Sequence, residues 1–235
     1  ALEPFGHGAT RSPGEQFTYW DSAIANLQVL QALDIPSAFV LGTSQGGWIA
    51  TRMALLAPDR IQGIVPLGTS MDYESQASIE RGCWNGAEFN TPLIDQLAQP
   101  VGDDWAPSPE YCDALLEAGL GTRVSPDERA FWHATIRRNY AGDAGRRRLR
   151  VCAINLRDRD GLSARLDAVT CPVLWLHGTE DKVYSVANAE HGLKQFTHSR
   201  CAELKIVQGG QHFLSASDPE RVNAESLAFV RRWLA

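Results

Sequence analysis

One stretch of the sequence, Gly42-Thr43-Ser44-Gln45-Gly46-Gly47, has the residue types and spacing that catalysis by a nucleophilic serine requires. It follows an apolar run at 38–41 and leads into a segment with helical periodicity at 48–54. A serine on a sharp strand-to-helix turn projects its hydroxyl from the sheet edge, and glycines two positions to either side let the flanking chain pass closely. The amide of the next residue, Gln45, then points at the oxyanion that forms during acyl transfer. Because such a motif occurs by chance in about one chain of this length in ten, a glycine-rich loop is the alternative that the rest of the chain must exclude.

Two later residues have the types needed to activate Ser44. A serine hydroxyl requires a histidine that takes its proton, and that histidine requires an acid that fixes its tautomer and stabilises its cation. Asp181 lies just past a predicted strand at 172–176, and His212 follows a predicted strand at 203–207. Because the carboxyl ends of parallel strands gather at one edge of an open sheet, we expect the three side chains to converge there. The chain order serine, aspartate, histidine is that of one fold in particular.

Other residues compete for the acid and base roles. Asp72, just after a predicted strand at 64–67, is the substitute acid, whereas the side chain of Glu180 should point elsewhere in its turn. Only His212 combines a preceding strand, a glycine pair and a position after the acid. We expect His177, at a strand end, to be satisfied by backbone hydrogen bonds. The remaining histidines lie in a glycine turn, in the middle of the chain, and in or just after a helix: His7, His133, His191 and His198.

The elements that must position these residues follow an α/β pattern with a helical interruption. The sequence predicts strands at 38–42, 64–67, 172–176 and 203–207. Helical periodicity is present at 17–33, from the serine turn to residue 57, at 185–196 and at the end of the chain. Between 71 and 168 strand signals fade, and helical segments such as 111–118 and 129–140 alternate with proline, glycine and aspartate. We therefore predict a mostly parallel sheet flanked by helices, divided into core (1–70), helical insertion (71–168) and core (169–235).

Aromatic residues are concentrated in the predicted insertion. Most of these rings are expected to form the insertion's own core, but such a segment is also suited to roof an apolar pocket. The candidate substrate contacts are Trp132 in the insertion, Trp48 after the nucleophile and Phe213 beside the base.

Size, composition and charge exclude several classes of protein. The 235 residues can bury one substantial core, and 44% hydrophobic with 21% charged residues is ordinary globular composition. A net charge of −6 argues against a nucleic-acid partner. The one basic run, at 146–150, is interpreted as a solvated helix end or loop, with attraction of an anionic substrate as the alternative. No run approaches the ~20 apolar residues of a membrane span.

The five cysteines are odd in number, widely spaced and form no C-x-x-C pair. This pattern disfavours a disulfide framework or a zinc site and favours a reducing compartment such as the cytoplasm. Nothing in the sequence indicates an oligomeric state.

Four motifs together resemble the α/β-hydrolase fold superfamily: Gly6-His7-Gly8-Ala9-Thr10, the turn around Ser44, Gly178-x-x-Asp181 and Gly209-Gly210-x-His212-Phe213. The resemblance implies Ser44 as nucleophile, His212 as base and Asp181 as acid, in agreement with the spacing. It also implies that 71–168 is the family's cap, inserted between the sixth and seventh strands. No metal or organic cofactor is expected.

The start of the chain departs from the family pattern. In the family, three strands and an oxyanion loop precede the G-x-G-x-[ST] turn, which here begins at Gly6, only 38 residues before Ser44. We therefore expect a chain shortened at its N-terminus, with a gap inside the sheet and one oxyanion donor, the amide of Gln45.

The resulting expectation is a serine hydrolase that acts on a small or medium, largely apolar ester or lactone. The same scaffold also supports carbon–carbon hydrolysis, acyl transfer to an alcohol and cofactor-free haloperoxidase chemistry. The alternative from another class is a hydrolase-like ligand receptor or a catalytically weak homologue or fragment, in which the site holds a small molecule with little turnover.

Overall fold

The computed structural model describes residues 1–11, 16–121 and 124–234. The chain divides into two compact units. One combines Ala1–Thr18 with Asn85–Arg159 and is helical, and the other combines Tyr19–Trp84 with Asp160–Ala235 and contains the sheet. The bounds of the helical unit differ from those of the predicted insertion at 71–168. Its longer segment is Asn85–Arg159, and the unit also includes the first residues of the chain. Residues 71–84 and 160–168 belong to the unit with the sheet.

The described sheet has four parallel strands in the order β1-β2-β3-β4. They are β1 (Ala38–Thr43), β2 (Ile61–Leu67), β3 (Val173–Gly178) and β4 (Ala202–Val207). The mostly parallel α/β fold predicted from the sequence is confirmed. The expected gap inside the sheet is wrong for the described strands, because β1 pairs directly with β2 and occupies an edge, while residues 1–11 form turns.

The helices alternate with these strands and fill the interruption between β2 and β3. Among the described residues they are α1 (Tyr19–Ala32), α2 (Gln45–Leu56), α3 (Gln76–Glu80), α4 (Gly86–Gln96), α5 (Pro109–Leu120), α6 (Pro126–Asn139), α7 (Gly142–Asp158), α8 (Val186–Leu193), α9 (Leu214–Ser217) and α10 (Pro219–Trp233), with one 3-10 helix at Ser163–Ala168. None of these described helices is both long and apolar enough to cross a bilayer.

The core of the sheet unit explains why its strands can be read from the sequence. All of β3 and nearly all of β2 are buried, so both strands are almost continuously apolar, as is usual for parallel strands covered on two faces. Side chains of β2, β3 and β4 pack with Leu214, Val222 and Phe229 from α9 and α10. The central strands are thereby held rigidly, which fixes the loops at their carboxyl ends.

A buried arginine joins two helices of the sheet unit to the segment that follows α7. Arg52, on α2, is fully buried and donates to a carboxylate oxygen (2.5 Å) and the carbonyl (2.9 Å) of Asp160. The Trp20 indole of α1 donates to the other carboxylate oxygen (3.0 Å), and the guanidinium carbon lies 5.0 Å from the centre of the Trp20 ring. Burial opposes ionisation of Asp160, but these hydrogen bonds outweigh it and hold the pKa of the carboxyl below its ordinary value.

Asp160→Ala should lower the free energy of unfolding by about 2–3 kcal/mol, because a buried cation would lose its carboxylate. This is less than the roughly 3–5 kcal/mol of a fully buried pair, since 43% of the Asp160 side chain is exposed. Urea unfolding measures the difference. Because the folded pKa is lowered, the stabilisation is present above about pH 4, the pKa of an unfolded aspartate, and is lost as pH falls through the folded pKa. The control is the double variant Arg52→Leu with Asp160→Ala, which should lower the free energy of unfolding less than Asp160→Ala alone. A larger decrease in the double variant would contradict this account.

The helical unit corrects the prediction for the basic run. Residues 146–150 lie inside α7, and Arg146 is only 5% exposed. Arg146 and Arg150 donate to carbonyls at the C-terminal end of α4, and Arg148 donates to the last carbonyl of α6. Carbonyls at a helix end have no partner within their own helix, so these arginines cap neighbouring helices rather than forming a solvated loop.

The start of α6 follows its sequence signature. The Ser125 hydroxyl accepts from the Glu128 amide, and the Glu128 carboxylate accepts from the Ser125 amide, with Pro126 at the first helical position. These two hydrogen bonds satisfy amides at the helix start that have no partner within the helix.

Candidate active site

The three residues singled out for nucleophilic chemistry lie in the sheet unit and form one chain of hydrogen bonds. Nε2 of His212 lies 2.9 Å from Oγ of Ser44. Nδ1 of the same ring lies 3.0 Å and 3.1 Å from the two carboxylate oxygens of Asp181. Because a carboxylate only accepts hydrogen bonds, Nδ1 carries the proton in the neutral ring, and the lone pair of Nε2 faces the serine hydroxyl.

Ser44 occupies a strained turn between β1 and α2. Its φ of 51° and ψ of −113° are unusual for a residue with a side chain. The turn is held by two hydrogen bonds from its surroundings: the Ser44 amide donates to Leu67 O at the end of β2 (2.8 Å), and the Thr69 hydroxyl donates to Ser44 O (2.8 Å). The strain is thus maintained by the neighbouring strand and the loop that follows it.

Only one of the two motif glycines is required by close packing. A Cβ on Gly42 would lie 2.1 Å from backbone atoms of Gly46, whereas a Cβ on Gly46 would meet nothing within 4 Å. The sequence-based expectation that glycines on both sides permit close passage therefore needs correction. The absence of a Cβ at Gly42 leaves space for the backbone of Gly46 in the first turn of α2.

Gly42→Ala should lower the free energy of unfolding by about 3 kcal/mol or more, at the upper end of overpacking effects, because its methyl group would overlap backbone that cannot rotate away. Gly46→Ala is the matched control. Gly46→Ala adds a methyl group in open space within a helix. Its free energy of unfolding should therefore be higher than that of the parent, by no more than about 1 kcal/mol. Urea unfolding of both variants measures the contrast, and equal destabilisation would disprove the packing asymmetry.

Asp181 is held in place by the turn that follows β3. One carboxylate oxygen accepts from the amides of Val183 (2.8 Å) and Tyr184 (2.9 Å), and the side chain has no exposed surface. Burial opposes the charged form, but the adjacent His212 and the amide hydrogen bonds outweigh it, so the pKa of Asp181 lies below its ordinary value. Asp181 is therefore an oriented carboxylate at neutral pH.

The His212 ring is enclosed by neighbouring groups. The Tyr184 ring centre lies 5.5 Å from the imidazole centre, and the Phe213 ring centre lies 5.4 Å away. Gly68, with φ of 47°, follows β2 and lies against the histidine loop, since a Cβ there would be 2.4 Å from His212 O and 3.3 Å from an Asp181 oxygen. Gly68 thus lets the end of β2 pass close to both the base and the acid.

The alternative acids are engaged elsewhere. The Asp72 carboxylate accepts from the hydroxyls of Ser75 (2.5 Å) and Ser78 (2.6 Å), at the start of α3. The Glu180 carboxylate accepts from the side-chain amide of Gln211 at 2.7 Å. The structure therefore brings Asp181, rather than either alternative, to Nδ1 of the base.

Gln45 is the first residue of α2, so its amide has no acceptor within the helix. Amides at a helix N-terminus carry a partial positive charge and favour an anion. The sequence predicts this amide as the oxyanion donor, and its position at the start of α2 suits that role.

A sequence model of the alpha/beta hydrolase fold matches residues 1–219. The chain belongs to the α/β-hydrolase fold family. Within the chain, the sheet with its serine turn between β1 and α2 agrees with this membership, and the resemblance stated from the four motifs is confirmed.

Three comparisons illustrate the relationship of this α/β-hydrolase to other proteins. It is 28% identical over 179 residues to pimeloyl-[acyl-carrier protein] methyl ester esterase of Photobacterium profundum, an alignment that covers 76% of this chain and 65% of the relative. It is 23% identical to 3-oxoadipate enol-lactonase 2 of Acinetobacter baylyi, covering 97% of this chain and 76% of that one. Among solved structures, a thermophilic esterase from Thermogutta terrifontis superimposes with a TM-score of 0.75 at 18% identity, covering 98% of this chain and 78% of that chain. The chain thus spans about two thirds of the length of the first relative.

The three candidate substrate contacts of this α/β-hydrolase have different surroundings. Trp48 is 1% exposed, packs edge-on against the rings of Tyr19 and Tyr184, and donates to Ser70 O. Trp48 therefore offers a ligand almost no surface. Trp132 lies on α6 in the helical unit and is 37% exposed, and Phe213 is partly buried beside the base.

Sequence reasoning missed three residues of this α/β-hydrolase that contact the candidate catalytic residues. Thr69 and Gly68 follow β2, and Tyr184 follows the acid by three residues. Their position after predicted strands was the available signal, because loops at the carboxyl ends of strands form the sites of such sheets. Their contacts with Ser44, Asp181 and His212 depend on the tertiary fold and leave no mark in local sequence.

Proposed function

We propose that this α/β-hydrolase is a serine hydrolase of carboxylic esters. The observation that carries the proposal is the continuous hydrogen-bonded chain from Ser44 Oγ through His212 to the buried Asp181 carboxylate. A serine so placed is activated for attack on a carbonyl carbon.

The reaction begins when Nε2 of His212 removes the Ser44 proton as Oγ attacks the ester carbonyl. The carbonyl oxygen becomes an oxyanion, and the Gln45 amide donates to it. Removal of one such donor typically lowers turnover by about 10²–10³, so this amide is a substantial part of the catalysis. His212 then gives its proton to the leaving alkoxide, and an acyl-enzyme forms on Ser44.

Hydrolysis of the acyl-enzyme repeats these steps with water as the nucleophile. Nε2 of His212 takes a proton from water, hydroxide adds to the acyl carbonyl, and the proton returns to Ser44 as the carboxylic acid leaves. Throughout, the charged Asp181 keeps the Nδ1 proton in place and stabilises the imidazolium formed in each half-reaction.

The substrate class proposed is a small or medium, largely apolar ester or lactone. Two relatives support this class by name, since one is a methyl ester esterase and the other an enol-lactonase. Phe213, partly buried beside the base, supplies apolar surface next to the reacting groups.

Turnover of a series of nitrophenyl esters, from acetate to octanoate, together with a simple lactone tests this proposal. The Ser44→Ala variant serves as the blank. We expect a Ser44-dependent release of nitrophenol with a burst equal to one acyl group per chain when deacylation is slow. A folded protein that is thermally stabilised by these compounds but releases no product would instead support a hydrolase-like receptor.

A further inference from the structure

His177 is a buried imidazole next to the acid that the proposed mechanism does not use. It stands near the end of β3 and has no exposed surface. Its Nε2 lies 2.8 Å from Tyr184 O and 3.6 Å from an oxygen of Asp181. Its Nδ1 is buried and has no hydrogen-bond partner in the described structure. The expectation that backbone bonding satisfies this histidine is therefore met at one nitrogen only.

The surroundings fix the tautomer of His177. A carbonyl oxygen only accepts hydrogen bonds, so Nε2 carries the proton that is donated to Tyr184 O. Burial lowers the pKa of His177, and this outweighs the opposing effect of the nearby Asp181 carboxylate. The ring is consequently neutral, with an N–H at Nε2 and an unprotonated Nδ1.

The Nε2–H group of His177 is linked to Asp181 through Tyr184 and also lies near the Asp181 carboxylate itself. The Tyr184 carbonyl accepts a hydrogen bond from His177 Nε2–H, and the Tyr184 amide donates to Asp181. The Asp181 oxygen that faces His212 Nδ1 at 3.0 Å is the oxygen that lies 3.6 Å from His177 Nε2. The catalytic carboxylate is thus flanked by two imidazoles, one on the reaction path and one anchored to the turn.

We propose that His177 is a positioning residue of the triad, whose Nε2–H anchors the turn 181–184 and thereby holds the Asp181 carboxylate against His212. The inference rests on the proposed function, because it concerns the acid of the same site. Packing alone does not account for the residue, since a buried nitrogen without a partner is unfavourable and an apolar side chain would avoid it.

Two amide substitutions separate positioning from packing. In His177→Gln the side-chain amide nitrogen is as many bonds from Cβ as Nε2 is in histidine. In His177→Asn the amide nitrogen is closer to Cβ and corresponds to Nδ1. Both remove the ring and its titration, but only the glutamine variant retains a donor for Tyr184 O. We expect His177→Asn to lower kcat for nitrophenyl acetate roughly 10- to 100-fold with little change in KM, because misplacing a catalytic group by about 1 Å can lower the rate on the order of 10²-fold. His177→Gln should stay within about threefold of the parent.

Nuclear magnetic resonance of the imidazole N–H groups gives a second readout that needs no turnover. In the parent protein the ¹⁵N signals should show His177 neutral with its proton on Nε2, and the far-downfield His212 Nδ1–H signal should report its hydrogen bond to Asp181. That signal should shift or broaden in His177→Asn and persist in His177→Gln. An imidazolium or an Nδ1–H tautomer at His177 overturns the proposal even if a variant does not fold.

The kinetic outcomes are equally decisive. Equal losses in both variants, or no loss in either, would show that His177 only fills space. If the parent has no esterase activity, the proposed function fails, while the tautomer and the His212 signal still decide whether His177 positions the acid.

Discussion

Ser44→Ala is expected to lower kcat for nitrophenyl ester hydrolysis by roughly 10⁶-fold, and His212→Ala should lower it by a similar factor. The two residues act as one unit, because the hydroxyl is a nucleophile only while Nε2, 2.9 Å away, takes its proton. The double variant should therefore lose no more than either single variant. Steady-state kinetics of the three variants with one ester measure this.

Ser215→Ala is the matched control for the serine substitution. Ser215 lies three residues after the base, and its hydroxyl bonds to Thr43, the residue before the nucleophile, at 3.1 Å. Ser215→Ala also removes a hydroxyl close to the site, and its kcat should stay within about tenfold of that of the parent. Multiplicative losses for Ser44→Ala and His212→Ala, or a comparable loss for Ser215→Ala, would contradict a shared proton-transfer unit.

Asp181→Asn should lower kcat by about 10⁴-fold with little effect on the fold. An amide at this position can donate to Nδ1 of His212, which favours the tautomer with its proton on Nε2 and removes the lone pair that accepts from Ser44. The negative charge that stabilises the imidazolium is also lost. The measurement is kcat at neutral pH, together with urea unfolding to confirm that the protein remains folded.

Asp72→Asn is the control for the acid. Hydrogen bonds from Ser75 and Ser78 outweigh its burial and hold the pKa of Asp72 below its ordinary value, so this carboxylate is also charged at neutral pH. The Asp72 carboxylate is bonded to the start of α3, and its replacement should change kcat by no more than about tenfold. A larger loss for Asp72→Asn than for Asp181→Asn would reverse the assignment of the acid.

The fold of the sheet unit can be predicted from the sequence because its strands are short, mostly apolar runs, two of which, β2 and β3, are buried almost throughout. The runs at 38–42 and 172–176 are almost entirely apolar and end in glycine-containing turns, and the structure places β1 at Ala38–Thr43 and β3 at Val173–Gly178. The residues that follow such strands in a parallel sheet meet at one edge. Together with the residue types and the chain order serine, aspartate, histidine, that rule selects Ser44, Asp181 and His212 as neighbours.

Other features depend on contacts between residues far apart in sequence and could not be predicted. The arginines of α7 are interpretable as a solvated run until α4 and α6 bring helix-end carbonyls to them. Trp48 follows the nucleophile by four residues, but the helical turn directs its ring towards Tyr19 in the core. Whether a motif glycine is needed depends on which backbone lies within reach of its Cβ, and this differs between Gly42 and Gly46.

The boundaries of the helical unit were also beyond the sequence pattern. Strand signals disappear after residue 71, yet the chain remains with the sheet as far as Trp84. The loop and α3 are held there by contacts with the acid-bearing turn, such as the Trp84 amide with Val183 O (2.8 Å) and the Tyr184 hydroxyl with Glu74 (2.9 Å). Helical periodicity cannot distinguish a helix that packs beside the sheet from one that belongs to a separate unit.

Active-site labelling with a fluorophosphonate, followed by mass mapping of the adduct, tests the central claim most directly. The reagent phosphonylates a serine, with loss of fluoride, only where a base activates the hydroxyl and the phosphonyl oxygen is stabilised. We predict one adduct per chain on Ser44 in the folded protein, strongly reduced in His212→Ala. A folded protein that acquires no adduct, or acquires it on another residue, would contradict the assignment of Ser44 as the nucleophile.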